Sequence, residues 1–96
     1  MKMQKKSFAK PKTSFRNRVL EVVRRIQKGA TMSYGEVAAR AGNPHAARAV
    51  GAIMAANRDP DIPCHRVIGK NGKMIGYSMP GGRRAKRQRL EKEGAI

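Results

Sequence analysis

The sequence predicts a mainly α-helical domain of winged helix-turn-helix-like architecture, with a small β-hairpin and a basic C-terminal helix. Three observations lead there. Two short helical patterns meet at the tight junction Gly42-Asn43-Pro44 inside "SYGEVAARAGNPHAARAVGAIMAAN". The pair Asn71-Gly72 lies between the apolar pairs Val67-Ile68 and Met74-Ile75, which signals a type I′ hairpin. A helical apolar period precedes these features, and a strongly basic helical segment follows them.

Taken in order, residues 1–13 carry Lys2, Lys5, Lys6, Lys10 and Lys12 with one proline and no acid, and read as a disordered basic arm. A plain solubility tail is the competing reading. Residues 14–96 then form one domain. Val19, Leu20, Val22, Val23 and Ile26 fall at helical spacing, with Gly29 a natural stop. Arg18, Arg24, Arg25 and Lys28 on the opposite face read as a solvated surface. Ser33 followed by Glu36 is a capping box, so a short helix starts there and ends at Gly42. Asn43 is expected to cap the next helix, with Pro44 at its first position.

That second helix is almost bald. Ala46, Ala47, Ala49, Gly51, Ala52, Ala55 and Ala56 leave Val50, Ile53 and Met54 as its packing edge and Arg48 as its one long charged side chain. Alone, such a helix suggests tight internal packing; the net charge and the preceding helix turn the reading toward nucleic acid. After Asn57, the polar loop "RDPDIP" delivers the chain to Cys64. The glycine-rich "SMPGG" leads to a last helix from Arg83 to Glu93, with Leu90 inward and Gly94 closing it.

Composition bounds the function. Ninety-six residues make one domain with a modest core, burying roughly 60% of the unfolded surface. No apolar run approaches the ~18 residues of a membrane span, and no apolar segment follows the lysine-rich start to make a signal peptide. The expected location is the cytoplasm, or the nucleus of a eukaryotic host. One cysteine allows no internal disulfide and no Cys-rich zinc site, and His45 and His65 are too few to suggest a metal. Neither a metal nor a cofactor is expected. Twenty-two Lys and Arg against six Asp and Glu leave a net charge of +16. Nucleic acid is the partner such a surface most often serves, through phosphate contacts and counterion release. An anionic membrane ranks second, because no long amphipathic helix sets Trp, Phe and Leu opposite its basic face.

The single thiol sits in "IPCHRVIG". A lone cysteine is most often a small core hydrophobe. The reactive form is the thiolate, whose ordinary pKa of ~8.5 falls beside cationic groups. Pro63 stiffens the backbone before it. Read as extended chain, Cys64 and His65 point to opposite faces, so a bridging water or a turn must connect them. A histidine base also needs an acceptor to fix its tautomer, and Glu91 and Glu93 are the obvious ones. Singly, His65 reads as a hydrogen-bonded structural histidine, Glu93 as a solvated helix end and Tyr34 as a packing anchor. Only their combination favours chemistry.

In that order, "SYGEVAARAGNPHAARAVGAIMAAN", "IPCHRVIG", "GYS" and "LEKEG" resemble the C-terminal, active-site domain of the O6-alkylguanine-DNA alkyltransferases, from about Phe15 to Gly94. The resemblance implies a single-turnover enzyme. It would move an alkyl group from O6-alkylguanine in double-stranded DNA to Cys64, after flipping the damaged nucleotide through the minor groove. It implies a monomer, with other repair proteins as further partners. Cys64 matches the alkyl acceptor, His65 the base that activates it through a water, and Glu93 the carboxylate that orients the histidine. Tyr34 matches the tyrosine that protonates the departing guanine and helps rotate the 3′ phosphate. Asn57 matches the brace between the helix-turn-helix and the thiol segment. Arg48 matches the arginine that fills the vacated stack, and Ala47, Ala49, Gly51 and Ser78 join it and Tyr34 on the DNA surface. Tyr34, Pro63, Val67, Tyr77 and Ser78 match the base pocket. The physics agrees: a base in a duplex hides its alkylated atom, and a bald helix can approach closely in a groove only ~6 Å wide.

The match has departures. The family's N-terminal domain has no counterpart here. The loop from Asn57 to Cys64 is one residue shorter, and that from Tyr77 to Gly81 is longer, with Met79 and Pro80 inserted. Short alkyltransferase-like proteins share this architecture, carry Trp at the acceptor position, and flag damaged DNA for other machinery without repairing it. Cys64, with His65 and Glu93, favours the active enzyme over such a binder. A winged-helix transcription or architectural protein ranks last, since the second helix lacks polar base-reading side chains.

Overall fold

Four helices and a two-strand parallel sheet build the part of the chain described by a computed structural model, residues 14–74 and 80–96. The basic arm and residues 75–79, including Tyr77 and Ser78, lie outside it. Helix α1, Phe15–Arg24, begins where Ser14 accepts a hydrogen bond from the Asn17 amide (3.1 Å). Its apolar stripe buries Val19 and Val23 completely. The helix stops at Arg24, well before Gly29, and a tighter turn (Ile26 N to Val23 O, 3.0 Å) tucks Ile26 into the core.

One residue of the supposed solvated face is not solvated. Arg18 is half-buried beside the Phe15 ring, and its Nε donates to the Ala41 carbonyl (2.8 Å), pinning α1 to the end of the next helix. Arg24 and Arg25 are exposed and reach only Glu21.

Helix α2, Tyr34–Arg40, carries the expected capping box: Ser33 accepts from Glu36 N, and Glu36 accepts from Ser33 N. It closes in a Schellman pattern, with Gly42 N bonded to Ala39 O and Asn43 N to Ala38 O. The next helix, α3, Ala47–Ala56, starts later than expected. Asn43 spends its side chain on the His45 amide (3.1 Å), and its carbonyl takes Ala46 N. This Asx turn absorbs Pro44 and His45, and leaves α3 without a side-chain cap. Val50 and Met54 of α3 are fully buried against α1 and α2, each burial being worth roughly 1.5–3 kcal/mol. Ala49, Ala52, Ala55 and Ala56 face outward with Arg48.

The described β structure includes a parallel pair that the sequence did not predict. Strands β1 (Met32–Ser33) and β2 (Val67–Ile68) pair in parallel, Met32 with Val67 and Ser33 with Ile68. Asn71 (φ 64°) and Gly72 (φ 79°) do take the left-handed conformations that a type I′ turn demands. Gly69 N and Lys73 O close that turn at 2.7 Å. No strand follows at Met74 among the described residues, and Ile75 lies outside them. Val67 is fully buried in the core, so its segment pairs with the chain entering α2. That register sets Tyr34, the residue after β1, beside the thiol segment.

Helix α4, Gly82–Lys92, starts one residue early and buries Leu90 completely. It ends in a second Schellman pattern, Gly94 N to Glu91 O and Ala95 N to Leu90 O. Glu93 is its C-cap.

Candidate active site

The backbone at the thiol is turned, not extended. Pro63 (φ −77°, ψ 63°) is the centre of an inverse γ-turn, closed by Cys64 N and Ile62 O at 2.7 Å. A 3-10 turn, Cys64–Arg66, follows directly. Successive side chains of such a turn point about 120° apart rather than 180°. Cys64, 4% exposed, joins the core cluster on the side of Tyr34. His65 and Arg66 reach the end of α4.

There Glu93 collects three bonds. His65 Nε2 lies 2.9 Å from Oε2, and Arg66 binds in bidentate fashion, Nε to Oε1 (3.0 Å) and Nη2 to Oε2 (2.7 Å). Arg66 Nη1 also donates to the Ile26 carbonyl (2.8 Å), which ties the array to the end of α1. Hydrogen bonds from Arg66, aided by His65, outweigh burial and push the Glu93 carboxyl down to about 2. Glu93 is therefore an acceptor only. The proton shared with it belongs to His65 Nε2, and the basic lone pair of His65 is on Nδ1. Burial lowers the His65 pKa below its ordinary value; Glu93 opposes this, while Arg66 and Arg89 add to it. The imidazole is thus neutral at physiological pH and able to take a proton. Glu91, the other acceptor considered, is exposed.

Electrostatically coupled to Cys64 is a residue that sequence reasoning missed. Lys86 is completely buried, with Nζ 2.6 Å from the Val67 carbonyl, 3.5 Å from the Tyr34 hydroxyl and 5.7 Å from the centre of its ring. Burial pulls its pKa down to about 8, against the opposing influence of Cys64. Burial, and next Cys64, push Tyr34 up to about 12. A signal for Lys86 was present: Lys86, Leu90 and Glu93 share one helical face, so an inward Leu90 and Glu93 require an inward Lys86.

Tyr34 also borders a cavity of ≈ 800 Å³, with Ser33, Ala47, Arg48, Gly51 and Lys70 around it. The predicted DNA-surface residues Ala47, Arg48 and Gly51 thus meet Tyr34 at one opening, while Ala49 is exposed on α3 outside this lining. Val67 is fully buried and Pro63 half-buried. Asn57, 4% exposed, exchanges bonds with the Asp59 backbone (Nδ2 to O, 3.1 Å; Asp59 N to Oδ1, 3.2 Å). It thereby holds the loop that leads from α3 to Cys64. A smaller cavity of ≈ 400 Å³ reaches His65 and Glu93 between Lys28, Arg89 and Lys92. Among the described residues, no three His, Cys, Asp or Glu cluster closely enough to hold a metal ion. No described helix is long and apolar enough to cross a membrane.

The fold and this array define a helix-turn-helix-like domain with one buried cysteine, a His–Glu–Arg array and a Tyr–Lys pair. The chain belongs to the family described as 6-O-methylguanine DNA methyltransferase, DNA binding domain, which matches residues 14–95. Methylated-DNA–protein-cysteine methyltransferase of Salmonella typhimurium is 47% identical over 85 residues, covering 88% of this chain and 48% of that protein. Mycobacterium tuberculosis OGT in complex with DNA superposes with a TM-score of 0.77 at 46% identity, covering 86% of this chain and 51% of that one. S. pombe Atl1, in complex with damaged DNA containing O6-carboxymethylguanine, superposes at 0.74 with 34% identity, covering 83% and 75%. The chain spans about half the length of the curated relatives it matches.

Proposed function

We propose that this chain repairs DNA by moving the alkyl group of O6-alkylguanine in double-stranded DNA onto Cys64, once per molecule and without a cofactor. The observation that carries the reading is a buried thiol followed in the chain by a carboxylate-anchored imidazole, with a Tyr–Lys pair electrostatically coupled to it. The Cys64 proton passes through a water to His65 Nδ1, and the Glu93 carboxylate stabilises the imidazolium that forms. Sγ attacks the alkyl carbon in line as the bond from that carbon to O6 breaks. The electron pair leaves with guanine, which takes a proton from the Tyr34 hydroxyl. Lys86, largely protonated at neutral pH with its pKa of about 8, stabilises the phenolate left behind. The products are guanine and an S-alkylcysteine, a thioether with no route back to the thiol.

The base reaches the site by flipping. The bald outer face of α3 lets Ala47, Ala49 and Gly51 approach the minor groove, and Arg48 fills the vacated stack. Pro63, Val67, Tyr77 and Ser78 complete the base pocket in this reading. Asn57 braces the approach to Cys64, and residues 1–13 add phosphate contacts as a basic arm. The domain acts as a monomer in the cytoplasm, or in the nucleus of a eukaryotic host.

Intact-mass measurement after incubation with duplex containing O6-methylguanine tests the reading. One added methyl on wild type, none on Cys64→Ala, and retained damaged-DNA binding by the variant are expected. Binding lost together with transfer would make Cys64 a structural residue. A second reading, a binder that flags damage without repairing it, draws on the 75% of S. pombe Atl1 that this chain covers. Tight binding without any added methyl would establish it.

A further inference from the structure

The geometry points to a second phosphate-binding surface for DNA, a basic cleft between the turn at Asn71–Lys73 and the first half of α4. The inference rests on the proposed seating of a duplex on α3. The cleft is a cavity of ≈ 550 Å³ whose walls include Asn71, Gly72, Lys73, Arg83, Arg84 and Arg87. All four cations are exposed. None of the chain's six acids, Glu21, Glu36, Asp59, Asp61, Glu91 and Glu93, lines it.

Folding alone does not account for this arrangement. Arg83 and Arg87 are like charges four residues apart, which weakens a helix. Arg83 and Arg84 lie in the first turn of α4, where the helix dipole disfavours cations, and no acid is present there to compensate. An anionic partner relieves both penalties. Lys86 and Leu90 face the core, while Arg83, Arg84 and Arg87 are exposed.

The shape and setting select the anion. Four exposed cationic heads, three on α4 and one on the turn before it, suit a polyanion track; a small caged anion calls for buried, convergent donors. An anionic membrane is disfavoured, because Ile96 is the one exposed large apolar side chain among the described residues. The position is decisive. Lys70 borders the cavity of Tyr34 and Arg48, while Asn71 to Lys73 border the basic cleft, so a single turn is the wall between them. A duplex carries one charge per ~1.7 Å of its axis. Seated at the first cavity, it extends its flanking phosphates toward the second.

The test compares two triple variants that lose the same charge: Arg83→Gln/Arg84→Gln/Arg87→Gln in the cleft, and Arg16→Gln/Arg24→Gln/Arg25→Gln on the exposed face of α1. Affinity for undamaged 30-base-pair duplex is measured against salt. Each lost phosphate contact lowers the log–log slope by about 0.9. The cleft triple should flatten the slope by roughly 2–3 units and the α1 triple by less than ~1. Lys73→Gln, off the helix, should flatten it by about 1 and guards against a misfolded α4. Far-UV circular dichroism should show all three variants folded, so that a lost slope reports a lost contact. Equal flattening by the two triples, or an unchanged slope in the cleft triple and Lys73→Gln, overturns the cleft. A wild type that binds duplex but transfers no alkyl group overturns the proposed chemistry instead, and leaves the slope comparison standing.

Discussion

Glu93→Gln exchanges one carboxylate oxygen for an amide NH2 and keeps the side chain's shape. In the wild type, Oε1 takes one bond (3.0 Å) and Oε2 takes two (2.9 and 2.7 Å). A glutamine can present its carbonyl to only one of these places. With the carbonyl toward Arg66 Nε, the amide faces the donors of His65 and Arg66 Nη2, and His65 must shift its proton to Nδ1 to accept. With the carbonyl toward His65, the amide opposes Arg66 Nε. Either way a guanidinium only 16% exposed loses its counter-charge. Charge-assisted bonds contribute ~1.5–3 kcal/mol each and neutral ones about half, so unfolding by urea at pH 7 should show a loss of roughly 2–4 kcal/mol. The sign with pH follows from a folded pKa of about 2 lying below the ordinary 4.5. The Glu93 contribution is complete above pH 4.5 and is lost as pH falls toward 2, so the gap between wild type and variant should close over that interval. General-base catalysis contributes ~10²–10⁴-fold, so single-turnover transfer at saturating DNA should fall by at least ~10²-fold, through a misplaced Nδ1 proton in the first orientation or an imidazolium without its carboxylate in the second. A transfer rate within about threefold of wild type, or a stability gap insensitive to acid, would refute the reasoning.

Three further outcomes follow from single residues. Lys86→Met should cost transfer at least ~10-fold, since Tyr34 loses its cation, yet leave stability at pH 7 within ~2 kcal/mol of wild type. Its folded pKa of about 8 lies below the ordinary 10.5, so wild-type stability declines as pH falls from 10.5 to 8 and the variant lacks that step; a parallel pH course for both proteins counts against it. Gly81→Ala sets a Cβ 2.6 Å from that of Ala85 at φ +94°, and thermal unfolding should report a loss of ~1–3 kcal/mol. Arg48→Ala should slow transfer most in fully paired duplex and markedly less in single-stranded DNA, because unstacking is already done there; equal slowing on both would assign Arg48 to phosphate binding alone.

What the sequence determined by itself was everything carried by a few adjacent residues. The capping box of Ser33 and Glu36, the Gly42 and Gly94 helix ends, and the positive φ of Asn71 and Gly72 are set by backbone sterics and hydrogen bonds spanning no more than one turn. The pairing of His65 with Glu93 came from the resemblance, and the family assignment over residues 14–95 agrees with that resemblance. Where two local rules competed, reading one of them misled. Asn43 is an apt helix cap, but it is equally apt for an Asx turn, and the turn took its side chain. Between Cys64 and His65 a bridging water and a turn were both open, and the ψ of 63° at Pro63 begins a γ-turn that runs into the 3-10 turn.

Only the tertiary structure decided the rest. Arg66 joins Glu93, 27 residues away, to the Ile26 carbonyl, 40 residues away. Lys86 enters the core to bond Val67 and Tyr34, and β2 pairs in parallel with the distant β1, Val67 with Met32. A buried charge is tolerated where distant segments happen to supply its partners, and no local period encodes where those segments will stand. The site is therefore spelled in short motifs, while its electrostatics exist only once four helices have closed around them.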